Sequence, residues 1–90
     1  MKEIVSGSKI IIKYRANLFA ITKKESESIT ALKVKDVMRH IKTQFGSNAE
    51  KLAKSMLIAV NGRSILMLKH FNTILKDGDE VNFLPICGGG

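Results

Sequence analysis

A single cysteine, Cys87, means that the chain can form no internal disulfide and build no cysteine-based zinc site. Nowhere do apolar residues run on for the about 18 positions a transmembrane helix needs. The opening MKEIVSGSK lacks the long apolar stretch of a secretory signal. A cytoplasmic location without a membrane partner is therefore expected. No glycine-rich GxxxxGK loop is present, so ATP, if used, must be held by a partner. No GxSxG motif is present either, which leaves a hydrolytic triad without support. The two histidines, His40 and His70, lie far apart in sequence with no cysteine or carboxylate cluster to match, and read as structural. Asp77, Asp79 and Glu80 gather around a glycine, where turn chemistry accounts for the aspartates. No metal site is expected. Proline occurs once, at Pro85, and marks the place where a strand ladder ends or meets an edge.

What remains is an ordinary globular composition. Ninety residues suffice for one small domain, and 44% hydrophobic with 26% charged residues argues against disorder. Lys and Arg number 15 against 8 Asp and Glu, a formal charge of +7 that favours acidic partners. A basic nucleic-acid-binding domain is thus one class of reading. Against it, the aromatics are only Tyr14 and four phenylalanines, with no pair arranged for base stacking, so a nucleic-acid partner is not expected.

The pattern along the chain is strand, strand, helix, strand, short strand, strand. Residues 1–8 read as a flexible arm. In KIIIKY, Ile10, Ile12 and Tyr14 alternate with Lys9, Ile11 and Lys13, the period of a strand over 9–15. RANLFAIT breaks the alternation and predicts a short helical turn with Leu18 and Ile21 as core anchors. SITAL (28–32) pairs with the first strand as a hairpin. From Val34 the period changes: Val34, Val37, Met38, Ile41 and Phe45 form one helical stripe, stopped by Gly46. The outer face carries Lys35, Arg39 and Lys42, a basic stripe read as a solvated face. NAEKLAKS predicts a further helical turn. MLIAV (56–60) reads as a strand buried on both sides. Asn61-Gly62 is a hairpin turn, SILML a short returning strand, and residues 80–86 a last strand. One helix covering one mixed sheet of four to five strands makes a two-layer α+β domain. The expected core is Ile10, Ile12, Leu18, Val37, Ile41, Phe45, Val60, Val81 and Phe83.

The last segment is NFLPICGGG. Glycine adds no side-chain bulk and allows almost any backbone angle. A tail at 87–90 ending in Gly88, Gly89 and Gly90 can thread a narrow channel and present a bare carboxylate inside another protein. No spacer separates these glycines from the preceding strand, so the tail reads as short and aimed.

Three segments together resemble the MoaD/ThiS-type ubiquitin-like sulfur carriers, above all the small-subunit type of molybdopterin synthase. YRANLFAIT (14–22) is similar to the family's first-strand ending, LIAVNG (57–62) to its strand and turn, and LKDGDEVNFLPICGGG (75–90) to its closing segment. Phe19-Ala20, Ile86, Cys87 and the third glycine depart from the family pattern.

The resemblance implies a β-grasp fold over 9–86, with the helix across one sheet face and strands 9–15 and 80–86 as parallel central neighbours. It implies a carrier and co-substrate rather than an enzyme, with no bound cofactor. An E1-like enzyme would use ATP to adenylate the Gly90 carboxylate, and sulfur would displace AMP to leave a thiocarboxylate. The large subunit of molybdopterin synthase would then accept the sulfur for molybdenum or tungsten cofactor synthesis. Alternatives sharing this tail chemistry are a protein modifier joining Gly90 to target-protein lysines, and a carrier for tRNA thiolation or thiamine. Partner contacts are expected on the sheet face away from the helix, with Ile11 beside Leu84 and Lys13 and Arg15 at the rim. Cys87 reads as a small residue filling a Ser or Ala position.

Overall fold

The computed structural model describes residues 7–86. The first strand, β1 (Ser8–Lys13), is followed by α1 (Ala16–Thr22), β2 (Ser26–Ala31), α2 (Val34–Phe45), α3 (Ser47–Lys54), β3 (Leu57–Val60), β4 (Arg63–Ser64) and β5 (Glu80–Leu84). The five strands form one sheet in the order β2-β1-β5-β3-β4. β1 and β5 run parallel at its centre, as expected, and the other pairings are antiparallel.

Alternation along the strands decides which residues meet the helices. Ile10 and Ile12 of β1, Val81 and Phe83 of β5, and Ile58 and Val60 of β3 turn inward, as do Val34, Val37, Met38 and Ile41 of α2. Burying each large aliphatic or aromatic side chain contributes about 1.5–3 kcal/mol, so this seam dominates the stability of a small domain. The start of α2 is fixed by Asp36, whose carboxylate accepts hydrogen bonds from the Leu32 and Lys33 N–H groups, both at 3.0 Å. Its negative charge also lies in the first turn, where the helix dipole favours it.

Two turns hold the central pair in place. Asn61 (φ 51°) and Gly62 (φ 86°) both adopt left-handed angles, the requirement of a tight hairpin turn. The Asn61 side chain then reaches β5: its Oδ1 accepts from the Glu80 N–H at 2.9 Å and its Nδ2 donates to Asp79 at 2.8 Å. At the other turn, Gly78 (φ 88°) lets the Asp77 carboxylate accept from the Lys9 N–H (2.9 Å) while Asp79 accepts from the Lys76 N–H (2.8 Å). The Asp77 carboxylate thus ties β1 to the turn before β5, and the Asp79 carboxylate closes that turn and ties it to Asn61.

Several expectations need correction. Ser8 is the first residue of β1, paired with Ala31, rather than the end of an arm; residues 1–6 and the tail 87–90 lie outside the described residues. In α1 the buried pair is Leu18 and Thr22, one full turn apart, while Ile21 points off this face and is exposed. Phe45 is only half-buried because it closes the rim of the core, edge-on to Tyr14. NAEKLAKS is more than a turn: α3 packs Ala49 and Ala53 against the core. The returning strand stops after Ser64, where the Ser64 hydroxyl caps a 3-10 turn at Ile65–Met67 by accepting from the Leu66 N–H. β3 is buried on both sides only over Ile58–Val60.

Candidate functional site

The face of the sheet away from the helices carries Ile11 and Lys13 of β1, Glu80, Asn82 and Leu84 of β5, and Leu57 and Ala59 of β3, by strand alternation and register. Ile11 is 37% exposed and Leu57 36% exposed, while Leu84 and Lys13 are half-buried. Ile11 and Leu84 share this face but are not side by side. The parallel register sets Ile11 against Glu80 and Lys13 against Asn82. Leu84 therefore lies four residues further along, about 13 Å at the rise of a strand. Its neighbour is Leu57, directly opposite on β3.

Arg15 is exposed, and its Nε donates to the Asn82 side chain at 3.3 Å. Asn82 in turn donates to Glu80 at 3.3 Å. A polar chain Arg15–Asn82–Glu80 thus runs along β5 between the two apolar spots. Lys13 lies at the level of Asn82. Both basic residues expected at the rim are on this side of the domain.

β5 ends at Leu84 because Pro85 has no N–H to continue the ladder. Beyond it Ile86 is 62% exposed and lines a groove of about 330 Å³ together with Met56, Leu57, Ile65 and Leu66. Leu66 is itself 66% exposed. An apolar strip therefore extends from Leu84 and Leu57 to the point where the chain leaves the sheet. Contiguous exposed apolar surface on a small domain makes this strip a candidate interaction site. Sequence reasoning missed Leu57, Leu66 and Ile86 as members of this surface. Leu57 was hidden in an apolar run, and only the β3–β5 register pairs it with Leu84. Cys87, Gly88, Gly89 and Gly90 lie outside the described residues.

A second cluster was also missed. Glu27 of β2 accepts hydrogen bonds from the Tyr14 hydroxyl (2.8 Å) and from Lys24 (3.2 Å), and His40 Nε2 lies 3.1 Å from the same carboxylate. Burial pushes the Glu27 carboxyl upward, but the hydrogen bonds from Tyr14, His40 and Lys24 outweigh it and hold it below the usual carboxylate range. Burial, then the hydrogen bond to Glu27 and its charge, push the Tyr14 phenol upward. The cluster seals the rim between β2 and α2. Among the described residues no group of three or more His, Cys, Asp or Glu is placed to hold a metal ion, and no helix is long and apolar enough to cross a membrane.

A mixed sheet with a parallel central pair, a helix laid across one face and a last strand that runs out past an open apolar surface defines the ubiquitin-like β-grasp class. Within that class the chain belongs to the ThiS family, whose profile matches residues 12–90. Among solved structures it is similar to small archaeal modifier protein 1 of Methanosarcina acetivorans, with 25% identity, TM-score 0.83, and coverage of 96% of this chain and 100% of that one. It is also similar to a protein from Pyrococcus furiosus assigned as molybdopterin converting factor, subunit 1 (26% identity, TM-score 0.66, covering 87% and 97%). A third similar structure is the Amycolatopsis orientalis BexX/CysO complex, where a chain 18% identical over 90% of this one and 99% of its own length gives TM-score 0.75 and shares the fold. No curated protein matches this chain at a significant level.

Proposed function

We propose that this protein is a sulfur carrier acting through the carboxylate of Gly90. The observation that carries the reading is that the ThiS-family match runs through to residue 90, directly after a strand that delivers the chain past an open apolar face. A carboxylate is a poor acyl donor. An E1-like enzyme would let the Gly90 carboxylate attack the α-phosphate of ATP, releasing pyrophosphate and forming an acyl adenylate. A sulfide-level sulfur nucleophile then displaces AMP and leaves a thiocarboxylate. Gly88 and Gly89 suit such a site because bare backbone passes where side chains would clash. ATP is held by the activating partner, and this chain is carrier and co-substrate. The sulfur is donated in molybdopterin biosynthesis to a synthase large subunit, a destination supported by the likeness to the converting-factor protein of Pyrococcus furiosus.

A second reading has its own support in the likeness to an archaeal modifier protein. There the same activated Gly90 is attacked by a lysine amine of a target protein, forming an isopeptide and releasing AMP. Intact-mass analysis of the chain purified from its own cells separates the two. An oxygen-for-sulfur mass gain at the C-terminus supports the carrier. Branched peptides ending in the glycine tail support the modifier. Neither product, in cells that contain the activating enzyme, overturns both.

A further inference from the structure

The helical layer carries a surface that tail chemistry does not use. Lys35, Arg39 and Lys42 project from α2 at i, i+4 and i+7, a row about 10 Å long at the rise of an α-helix. All three are exposed. Folding adds what the stripe alone did not reveal: α3 brings Lys54 across from the row, and the 3-10 turn at His70–Asn72 brings Phe71 beneath it. The result is a groove of about 320 Å³ with four cations around it, one carboxylate, Glu50, and a floor of Met38 and Phe71. Glu50 pairs with Lys54 at 3.6 Å, and Asp36 faces Arg39 at 3.3 Å. Among the described residues, neither Lys35 nor Lys42 pairs with a carboxylate.

We propose that this α2–α3 groove docks the phosphate backbone of a single-stranded nucleic acid, with one base against Phe71. Two features select this occupant over an acidic peptide. The cations form a row, which suits a chain of regularly spaced anions. The aromatic floor offers a negative π-face, which welcomes an unstacked base and repels a carboxylate. A single strand is required because a base inside a duplex cannot reach Phe71. The cation row lies on the helical layer, away from Leu84 and the open sheet face, while Lys54 and Phe71 also line the groove beside Ile86, so the two surfaces meet along that edge. The sequence expectation against nucleic acid rested on finding no stacking pair. A row of cations above one aromatic ring, assembled from three elements, needs no such pair.

The test uses the full chain and a labelled short oligouridylate, followed by fluorescence anisotropy across a salt series, and it does not involve Gly90. Binding should weaken linearly in log–log form with salt. The slope should become shallower by about 0.7 for each phosphate contact removed in Lys35→Gln and Lys42→Gln. Phe71→Leu should lower affinity about tenfold with little change in slope, with a thermal melt confirming that it is folded. Leu84→Asp, on the opposite face, should bind as the wild type does. Absence of salt-sensitive binding would overturn the proposal, as would unchanged slopes in both lysine variants. Displacement of the oligonucleotide by polyglutamate at equal charge concentration would assign the groove to an acidic protein surface and overturn it too.

Discussion

Leu57 and Leu84 stand directly opposite each other across the β3–β5 ladder, on the side of the sheet that no helix covers. The next residues of β5's path, Pro85 and Ile86, carry the chain away from this pair along an apolar groove. On the proposed function, the docking surface and the reactive tail would follow one another along the chain, and a partner gripping the leucine pair would fix where the tail enters.

This adjacency sets the first prediction. Leu84→Asp and Leu57→Asp should each weaken binding to the activating enzyme at least tenfold, the cost of losing about one central apolar contact. Neither should unfold the domain, since both side chains sit on the open face. Calorimetric titration with the partner, with circular dichroism as the fold control, checks this. Ile11→Asp should have a smaller effect, because Ile11 is set apart beside Glu80. Equal affinity in all three variants would remove the sheet face from the partner interface.

The tail should be separable from docking. Deleting Gly88–Gly90 is expected to abolish adenylation and sulfur loading while leaving most of the partner affinity. Gly89→Val should slow activation through its β-branched bulk. Cys87→Ser should load sulfur as the wild type does. Pyrophosphate release and intact mass read each outcome.

The Glu27 cluster predicts a two-sided pH dependence of stability. The Glu27 carboxyl is held below its ordinary value, so its contribution is present above about pH 4.3 and is lost as pH falls through the folded-state value. The Tyr14 phenol is pushed up, so its contribution is complete below about pH 10 and is lost as pH rises further. Tyr14→Phe should cost about 1 kcal/mol near neutrality and remove the alkaline loss. Glu27→Gln should narrow the stability difference from wild type as pH drops below 4. Denaturant titrations over pH measure both.

Core packing gives the fourth prediction. Ile41 is fully buried between α2 and the sheet, and Ile41→Ala should cost about 3 kcal/mol. Phe45→Ala should cost less, since Phe45 lies half-exposed at the rim. Urea midpoints rank the two.

Much of the architecture was legible locally. The change from period two to the α2 stripe, the Asn61-Gly62 turn and the Asp77-Gly78-Asp79 turn each depend on residues near one another in the chain. Strand alternation correctly put Ile10, Ile12, Val81 and Phe83 inside and Ile11 and Leu84 on one outer face. Register is another matter, because it depends on which residues of distant strands come opposite. Ile11 thus met Glu80, and Leu84 met Leu57, which the sequence could not signal from within MLIAV. His40 joined Glu27 and Tyr14 for the same reason: the groups come from different elements and are brought together only when α2 lies across β1 and β2. The sequence by itself determined the order of the strands and α2, the inward faces of β1 and β5, and the glycine tail, because these follow from backbone period and side-chain type. Only the tertiary structure decided the apolar strip beside the tail exit, the Glu27 cluster and the α2–α3 groove, because each is built from side chains whose proximity is created by long-range packing.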